Sequence, residues 1–540
     1  LMSSFRLFDL NEPQRLAVTT TEGPLLILAG AGTGKTRVVT ARTAYMLTRG
    51  ISPDNILAVT FTNKAANEMR ERLSKMVDPA DAKRVTMCTF HALCVRILRA
   101  DIERLGYKKN FTIYDEGDQT GLIRKIITKT AARDEKLEPN VAKAVISKLK
   151  NSGLSAPLDE RLLVSAVFAR YQQELKNLNA VDFDDLLLLT VKLLAEHADV
   201  RQKWQQRFRY IMVDEFQDTN LLQYEILKLL LSNNNIFVIG DPNQSIYGFR
   251  GASGTIFDRF RQDFPDRTEI TLTTNYRSVP AVVRLSNALF EEAPDLTAHS
   301  QTAGMVRAVE VLNEYSEARW VLDEIHRAIG GGDFLRVVSD DEAAQHRRLS
   351  DFAVLYRSRP ATTTFQKLLD ESGLPYQVVG DGSPYDQPEI QAIIALMRTA
   401  VTKEPLDLEG YTSAEQRYLR DALDRVDEAL PSALVQKIID ILGIEPSREI
   451  QQFMSVLVRF KTVSSAVAYF DDIAEHGFYD PNADAITLLT IHASKGLEFP
   501  YVFLIGAEEG ILPSSRGDEA EEKRLFYVAA TRARERLEIT

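Results

Sequence analysis

Cysteine and tryptophan are scarce in this chain, with two of each among 540 residues. The cysteines, Cys88 and Cys94, fall in one short segment that reads as helical, so their spacing offers neither a disulfide framework nor a zinc site, and both read as core residues. Long apolar runs are also missing, none reaching the roughly 18 residues that cross a bilayer. Leu1 to Gln14 lacks the basic-then-apolar order of a signal peptide, so the expected address is the cytoplasm, with no membrane partner. Positive net charge is absent too. The balance of -11 by itself argues against a nucleic-acid partner, because phosphate contacts need Lys and Arg. A large protein can nevertheless be acidic overall while lining one groove with basic and aromatic side chains. No short-period repeat or low-complexity tract is found.

What is present begins with a hydrophobic fraction of 45%, ample for the cores of about three or four domains. The chain is organised around Ala29-Gly30-Ala31-Gly32-Thr33-Gly34-Lys35-Thr36, which follows the apolar run Leu25 to Leu28 and opens a helical segment beginning at Arg37. A loop of this composition turns backbone N–H groups toward a triphosphate, its Lys ammonium reaches the outer phosphates, and its Thr hydroxyl holds Mg²⁺. Only Ala29, in place of Gly, departs from the G-x-x-x-x-G-K-[ST] pattern.

Ahead of this loop, residues 10 to 18 begin like a capped helix. Gln14 there is placed to reach a nucleotide base, or else is a solvated helix residue. Ile56 to Asn63 is a buried-type strand running into a helix over Lys64 to Leu73, and Val85 to His91 repeats the format. The β/α rhythm breaks for a charged helical stretch and resumes at Tyr210 to Glu215, Ile236 to Asp241 and Ile270 to Leu272. A second series includes Phe352 to Arg357, Tyr376 to Gly380, Ile486 to Ile491 and Tyr501 to Ile505, with a surface loop from Gly330 to Ser350. The expected architecture is α/β, with two parallel-sheet lobes each interrupted by an α-helical insertion. The first lobe takes 1–100 and 198–274 around an insertion at 101–197; the second takes 275–399 and 485–540 around an insertion at 400–484.

Asp214 and Glu215 end a buried strand, where one carboxylate can hold Mg²⁺ and the next, diverging from it, can face the attacking water. Phosphoryl transfer to water is the reaction this favours. Arg277 and Arg532 are candidates to meet the negative charge of the transition state.

Taken together, Ala29 to Arg37, Thr60 to Ala66, Val213 to Asn220, Gly240 to Ala252 and His492 to Phe499 resemble superfamily 1 DNA helicases of the UvrD/PcrA/Rep type, in family order from Gln14 to Arg536. The resemblance implies two RecA-like P-loop lobes, with ATP bridging them and Mg²⁺ as a second cofactor. It implies that Gln14 and Arg37 contact adenine, Tyr276 stacks on it, and Glu498 approaches the ribose. Lys35 would grip phosphates, Thr36 and Asp214 would bind Mg²⁺, and Glu215 would activate water. Gln244 would sense the γ-phosphate and link it to the DNA groove, while Arg277 and Arg532, from the second lobe, would act as arginine fingers. Single-stranded DNA would meet the faces of Phe61, Tyr247 and Phe249, with Thr62, Asn63, Thr89, His91, Arg250, Thr490 and His492 as polar contacts. For the aromatics the alternative is core packing, which suits Phe90 and Phe183 better than Tyr247 and Phe249, set among Gly and Arg in a loop. A metal role for His91 or His492 is disfavoured, since no second ligand stands at metal spacing. The implied activity is 3′→5′ movement on single strands and at single-strand/duplex junctions, serving repair or replication with their proteins as partners.

Three departures from the family pattern stand out. Phe249 replaces the usual Trp; the second insertion is much shorter, which bears on duplex engagement; and the chain stops soon after Arg536, without the family's remaining second-lobe strand and tail. Leu1 before Met2 reads as the start of a fragment. Two rival readings follow: a translocase that strips proteins from DNA and unwinds poorly, and, in another class, a nucleotide switch or scaffold without motor activity. An RNA strand fits the same residues.

Overall fold

The computed structural model describes residues 7–130, 137–151, 163–248, 255–290, 294–330, 347–379, 385, 387–402, 412–424, 426, 430–445, 447–476, 479–481 and 483–540. Contacts divide the chain into two compact units, Leu1–Gly304 with Gly517–Tyr527, and Met305–Arg516 with Val528–Thr540.

The strands of the first unit are β1 (Leu25–Ala29), β2 (Ile56–Thr60), β3 (Thr86–Thr89), β4 (Thr112–Tyr114), β5 (Ala180–Asp182), β6 (Tyr210–Val213), β7 (Ile236–Gly240), β8 (Thr268–Leu272), β9 (Thr274–Asn275) and β10 (Thr297–Ala298). Six of them form one sheet in the order β3-β2-β6-β7-β1-β8, parallel at every pairing. Strands such as Ile56–Thr60 and Ile236–Gly240 are buried along their whole length, as a sheet covered by helices on both faces requires. One face packs with Leu93, Ile97 and Leu227, and the other with Val38, Ala41 and Met69. Each Leu, Ile or Val so buried contributes about 1.5–3 kcal/mol. The order places β1 beside β7, with β6 next, so the residues that follow these three strands emerge close together at the carboxyl edge. That edge is where open α/β sheets bind ligands.

The stretch between Asp101 and His197 is helical as expected, but it also contains the short parallel pair β4-β5, whose register joins Thr112 to Ala180. Cys88 lies on β3 and only Cys94 on the following helix, Phe90–Asp101, because Thr-Met-Cys-Thr completes the sheet's edge before Thr89 caps the helix. Both thiols are buried and free.

In the second unit, β11 (Met305–Ala308), β12 (Phe352–Tyr356), β13 (Tyr376–Val379), β14 (Ile486–Thr490), β15 (Phe499–Leu504) and β16 (Ala533–Ile539) form a parallel sheet in the order β11-β16-β15-β12-β14-β13. Helices between Pro388 and His476 pack on their own core around Ile393, Leu434, Phe453 and Phe470. The strand β16, which contains Arg536, is absent from the strands read in the sequence. Its charges hid it from the apolar pattern, and they are accounted for by pairing. Arg536 meets Glu538 at 2.5 Å and Glu324 at 2.8 Å, and Arg307 meets Glu538 at 2.7 Å.

The loop expected over Gly330 to Ser350 falls mostly outside the described residues. The boundary drawn from sequence at 274/275 differs from the partition by contacts, which keeps 275–304 in the first unit. There β9 pairs with β10, and the Asn275 amide donates to the Ala31 carbonyl at 2.8 Å. Among the described residues no helix is long and apolar enough to cross a membrane.

Candidate nucleotide site and nucleic-acid face

The glycine loop leaves β1 and enters the helix Lys35–Thr48 through two left-handed residues, Gly32 at φ 70° and Gly34 at φ 85°. Gly32 is required for a second reason. A Cβ there would stand 2.8 Å from both the Arg277 Cβ and the Asn275 side-chain nitrogen, so the loop and the Asn275-Tyr276-Arg277 segment approach as only glycine permits. The Tyr276 N–H donates to the Gly32 carbonyl at 2.8 Å, locking the two segments together. Thr33 is buried, with its hydroxyl on the Gly30 carbonyl at 2.8 Å. The Lys35 ammonium reaches the Ala29 and Gly30 carbonyls at 3.3 and 3.5 Å, long bonds for a cation.

At the end of β6, Asp214 is fully buried and its Oδ2 accepts from the Thr36 hydroxyl at 3.1 Å. Burial, and then the neighbouring Glu215 carboxylate, push the Asp214 carboxyl up to about 7, against the opposing pull of Lys35. Glu215 adopts φ 52°, a left-handed conformation that a non-glycine residue holds only when its surroundings fix it. Its carboxylate accepts from the Gln217 amide at 2.5 Å, and the other end of that amide takes the Asp241 N–H at 3.0 Å. Asp241, at the end of β7, is buried and accepts from Gln244 at 2.8 Å. Its carboxyl is also raised, by burial first, with Lys35 opposing.

Several expected base-side residues surround this loop. Gln14 is 1% exposed, which overturns the solvated-helix alternative. Its amide donates to the Thr33 carbonyl at 2.9 Å and accepts from the Asn11 N–H at 3.2 Å, closing a capping box on the helix Glu12–Thr19. Arg37 donates to the Asp9 carbonyl at 3.0 Å. Tyr276 is 41% exposed, with its hydroxyl 2.9 Å from Asn11 and its ring tilted against His299 at 4.9 Å. Arg277 is half-buried beside the loop.

In the second unit, Arg532 is 1% exposed, and its guanidinium donates to the Val528 and Leu497 carbonyls at 2.8 and 3.1 Å and to Thr531 at 3.1 Å. Glu498 is exposed, 3.9 Å from Arg534. Thr490 ends β14 and its hydroxyl accepts from the Ala493 N–H at 3.2 Å, with His492 half-buried in the same turn.

Beside the acid pair, the residues after β2 and β3 carry aromatic faces. Phe61 and Tyr247 stack with centroids 5.3 Å apart and planes 18° from parallel. Thr62 caps the helix Asn63–Met76 by accepting from the Ala65 N–H, and Asn63 is exposed at its start. Thr89 is buried and spends its hydroxyl on the Ala92 N–H at 3.3 Å, as the cap of the helix carrying His91. The His91 ring meets Phe183 edge-on at 5.8 Å. Phe90 is core, but Phe183 is 49% exposed, which corrects the expectation of core packing. Asp182 caps the helix Phe183–Glu196 and turns its first residue outward. Phe249 and Arg250 lie outside the described residues.

Sequence reasoning named no role for Gln217 or Asp241, although each lies within a quoted motif, nor for Asn275, two residues before Arg277. A buried polar residue among motif residues was the signal available.

The family model of the UvrD/REP helicase N-terminal domain matches residues 10–265, and that of the UvrD-like helicase C-terminal domain matches 270–462 and 433–540. The chain is 35% identical over 631 aligned residues to the ATP-dependent DNA helicase PcrA of Bacillus subtilis (strain 168), covering 100% of this chain and 83% of that protein. The PcrA of Staphylococcus aureus (strain MRSA252) is likewise 35% identical, with 99% and 83% covered, and that of Staphylococcus epidermidis is 34% identical, with 98% and 83% covered.

Proposed function

Because the chain belongs to the UvrD/PcrA-type superfamily 1 DNA helicases, an ATP-hydrolysing family, we propose that it couples ATP hydrolysis to 3′→5′ movement along single-stranded DNA. The observation that carries this is the meeting at one sheet edge of the glycine loop and the acid pair, with Thr36 bonded to Asp214 and Glu215 held at φ 52° beside them.

The donor set suits Mg²⁺: a hydroxyl and a carboxylate are hard oxygen ligands, and this ion is commonly held by one or two protein groups and the substrate's phosphates. Thr36 and Asp214 would hold it, and it would supply neutralisation of phosphate charge. The backbone N–H groups of Gly30 to Thr36 orient the triphosphate, and Lys35 exchanges its long carbonyl contacts for phosphate oxygens. Glu215, steadied by Gln217, takes the proton from water, and Gln244 reads the γ-phosphate. Arg277, half-buried beside the loop, supplies guanidinium charge for the transition state. Tyr276 offers adenine its exposed face, and Gln14 and Arg37 frame the base. On the DNA side, the Phe61–Tyr247 stack and the Phe183–His91 pair offer faces to bases. Each such face is worth about 1–3 kcal/mol without regard to sequence. Thr490 and His492 add polar contacts in the second unit. Work on DNA in repair or replication, at single-strand/duplex junctions and in the cytoplasm, fits this reading.

The test is ATP turnover with and without single-stranded DNA, beside strand separation on 3′-tailed and 5′-tailed duplexes. Stimulated turnover with unwinding of the 3′-tailed duplex alone supports the reading; turnover indifferent to DNA overturns it. A second reading, a translocase that unwinds poorly, is favoured by one observation. The alignment to the Bacillus subtilis relative is longer than this chain, so that relative carries segments lacking here.

A further inference from the structure

We propose that Tyr527 is a positioning residue for ATP hydrolysis: its hydroxyl fixes the Asp241 carboxylate, and through it Gln244, while accepting an N–H of the glycine loop. This rests on the function proposed above.

Tyr527 closes the segment Gly517–Tyr527, which returns from the far end of the chain into the first unit. Its side chain is buried and its hydroxyl donates to the Asp241 Oδ2 at 3.1 Å. The same oxygen accepts from the Gln244 amide at 2.8 Å, so Tyr527 and Gln244 share one acceptor. The tyrosine oxygen also lies 3.4 Å from the Ala31 nitrogen, as acceptor of that N–H. The path then continues without a gap, since the Asp241 N–H bonds Gln217 and Gln217 bonds Glu215. One hydroxyl thus joins the loop that takes phosphate to the residue that reads it and to the residue that activates water.

The physical need is specific. Asp241 is a fully buried carboxylate, and a buried acceptor that loses a donor is costly. Deprived of the tyrosine hydroxyl, Oδ2 keeps only Gln244 among these two donors and becomes the stronger attractor for the Lys35 ammonium, which phosphate needs. With it, Gln244 is held in one amide orientation and Lys35 is left to the loop.

A plain anchoring role must be distinguished from this one. The segment has a second anchor, since Arg524 donates to the Ser245 carbonyl at 2.7 Å. The Tyr527 ring also packs edge-on against Phe290 at 5.5 Å, a contact that phenylalanine keeps. Steady-state ATP hydrolysis of the full chain with single-stranded DNA is therefore measured for Tyr527→Phe, Gln244→Ala, the double variant and Arg524→Gln. Expected are a kcat about tenfold lower for Tyr527→Phe with KM for ATP within about twofold, and a double variant no slower than Gln244→Ala. Arg524→Gln, which loosens the segment without touching Asp241, should stay within about twofold of the unaltered chain. Unchanged kcat in Tyr527→Phe, losses that multiply in the double variant, or an equal loss in Arg524→Gln would overturn the proposal alone. An unaltered chain that hydrolyses no ATP overturns the function reading and this inference with it.

Discussion

Glu215 sits at φ 52°, at a cost of about 1–3 kcal/mol that only a surrounding network can hold. That network includes Gln217, whose amide holds the carboxylate in place, as the proposed role of base requires. Glu215→Gln keeps the shape and loses the proton acceptor, so ATP turnover should fall by on the order of 10²–10⁴ while a fluorescent nucleotide still binds. Normal turnover would assign the base elsewhere. Gly240 is constrained in another way, because a Cβ there would stand 2.5 Å from the Gln217 Oε1 and 3.1 Å from the Phe216 nitrogen. Gly240→Ala should therefore destabilise the first unit by about 1–3 kcal/mol, read as a shifted urea midpoint, and slow hydrolysis by displacing Gln217. The two cysteines give a pH test. Burial raises Cys88 to about 11 and Cys94 to about 12. Both stay protonated well above the ordinary thiol value near 8.5, so the stability they lend is whole below that pH and is lost as pH climbs through the raised values. A thiol reagent at pH 8 should label neither until denaturant is added. The sequence singled out Lys35, Thr36, Asp214 and Glu215 because they lie in contiguous motifs, whereas the hydrogen bonds of Asp241 and Gln217 depend on partners chosen by folding.

Among the elements, the helical stretch between β3 and β6 carries a buried ion cluster that its sequence does not announce. Lys150 is wholly buried, 2.6 Å from Asp182 and 2.8 Å from Asp185, with the Tyr171 hydroxyl 3.0 Å from Asp182. Two carboxylates around one ammonium leave the second costly to ionise, and burial holds Asp185 up at about 7. Asn151 continues the cluster to Asp184 at 2.8 Å, and Asn220 donates to Asn151 at 3.1 Å. Asn220 caps the helix Leu221–Leu230 just after the acid pair, so the cluster ties the helical stretch to the segment that carries that pair. Lys150→Met leaves the acids unpaired and should cost about 3–5 kcal/mol, seen as faster hydrogen exchange across the helix Pro139–Asn151. Protection equal to that of the unaltered chain would show that the acids take up protons without strain. Periodicity predicted helices here correctly, but it could not pair a lysine with aspartates 32 and more residues away.

For the whole molecule, a net charge of -11 sits beside a proposed DNA face built from aromatics. Stacking on Phe61, Tyr247 and Phe183 should then carry much of the affinity. Phe183→Ala should weaken single-stranded DNA binding by about 1–3 kcal/mol, and the apparent affinity should still fall with salt through whatever phosphate contacts Lys and Arg make. A Phe183→Ala variant with unaltered binding in a fluorescence-anisotropy titration would remove that ring from the face.

Fold class and family can be read from the amino-acid order alone, as can the glycine loop and the acid pair as motifs, because these reside in short contiguous patterns of backbone preference and side-chain chemistry. That order does not reveal β16, whose charges are neutralised by residues on other elements, nor the outward turn of Phe183, set by the cap at Asp182. Folding alone buries Gln14 under the loop and brings Tyr527, 286 residues from Asp241 in the chain, to share that carboxylate with Gln244. Local pattern specifies what each segment is. Which polar groups share a buried oxygen is settled only when the sheet order brings distant segments to one edge, where burial leaves each acceptor only its nearest donors.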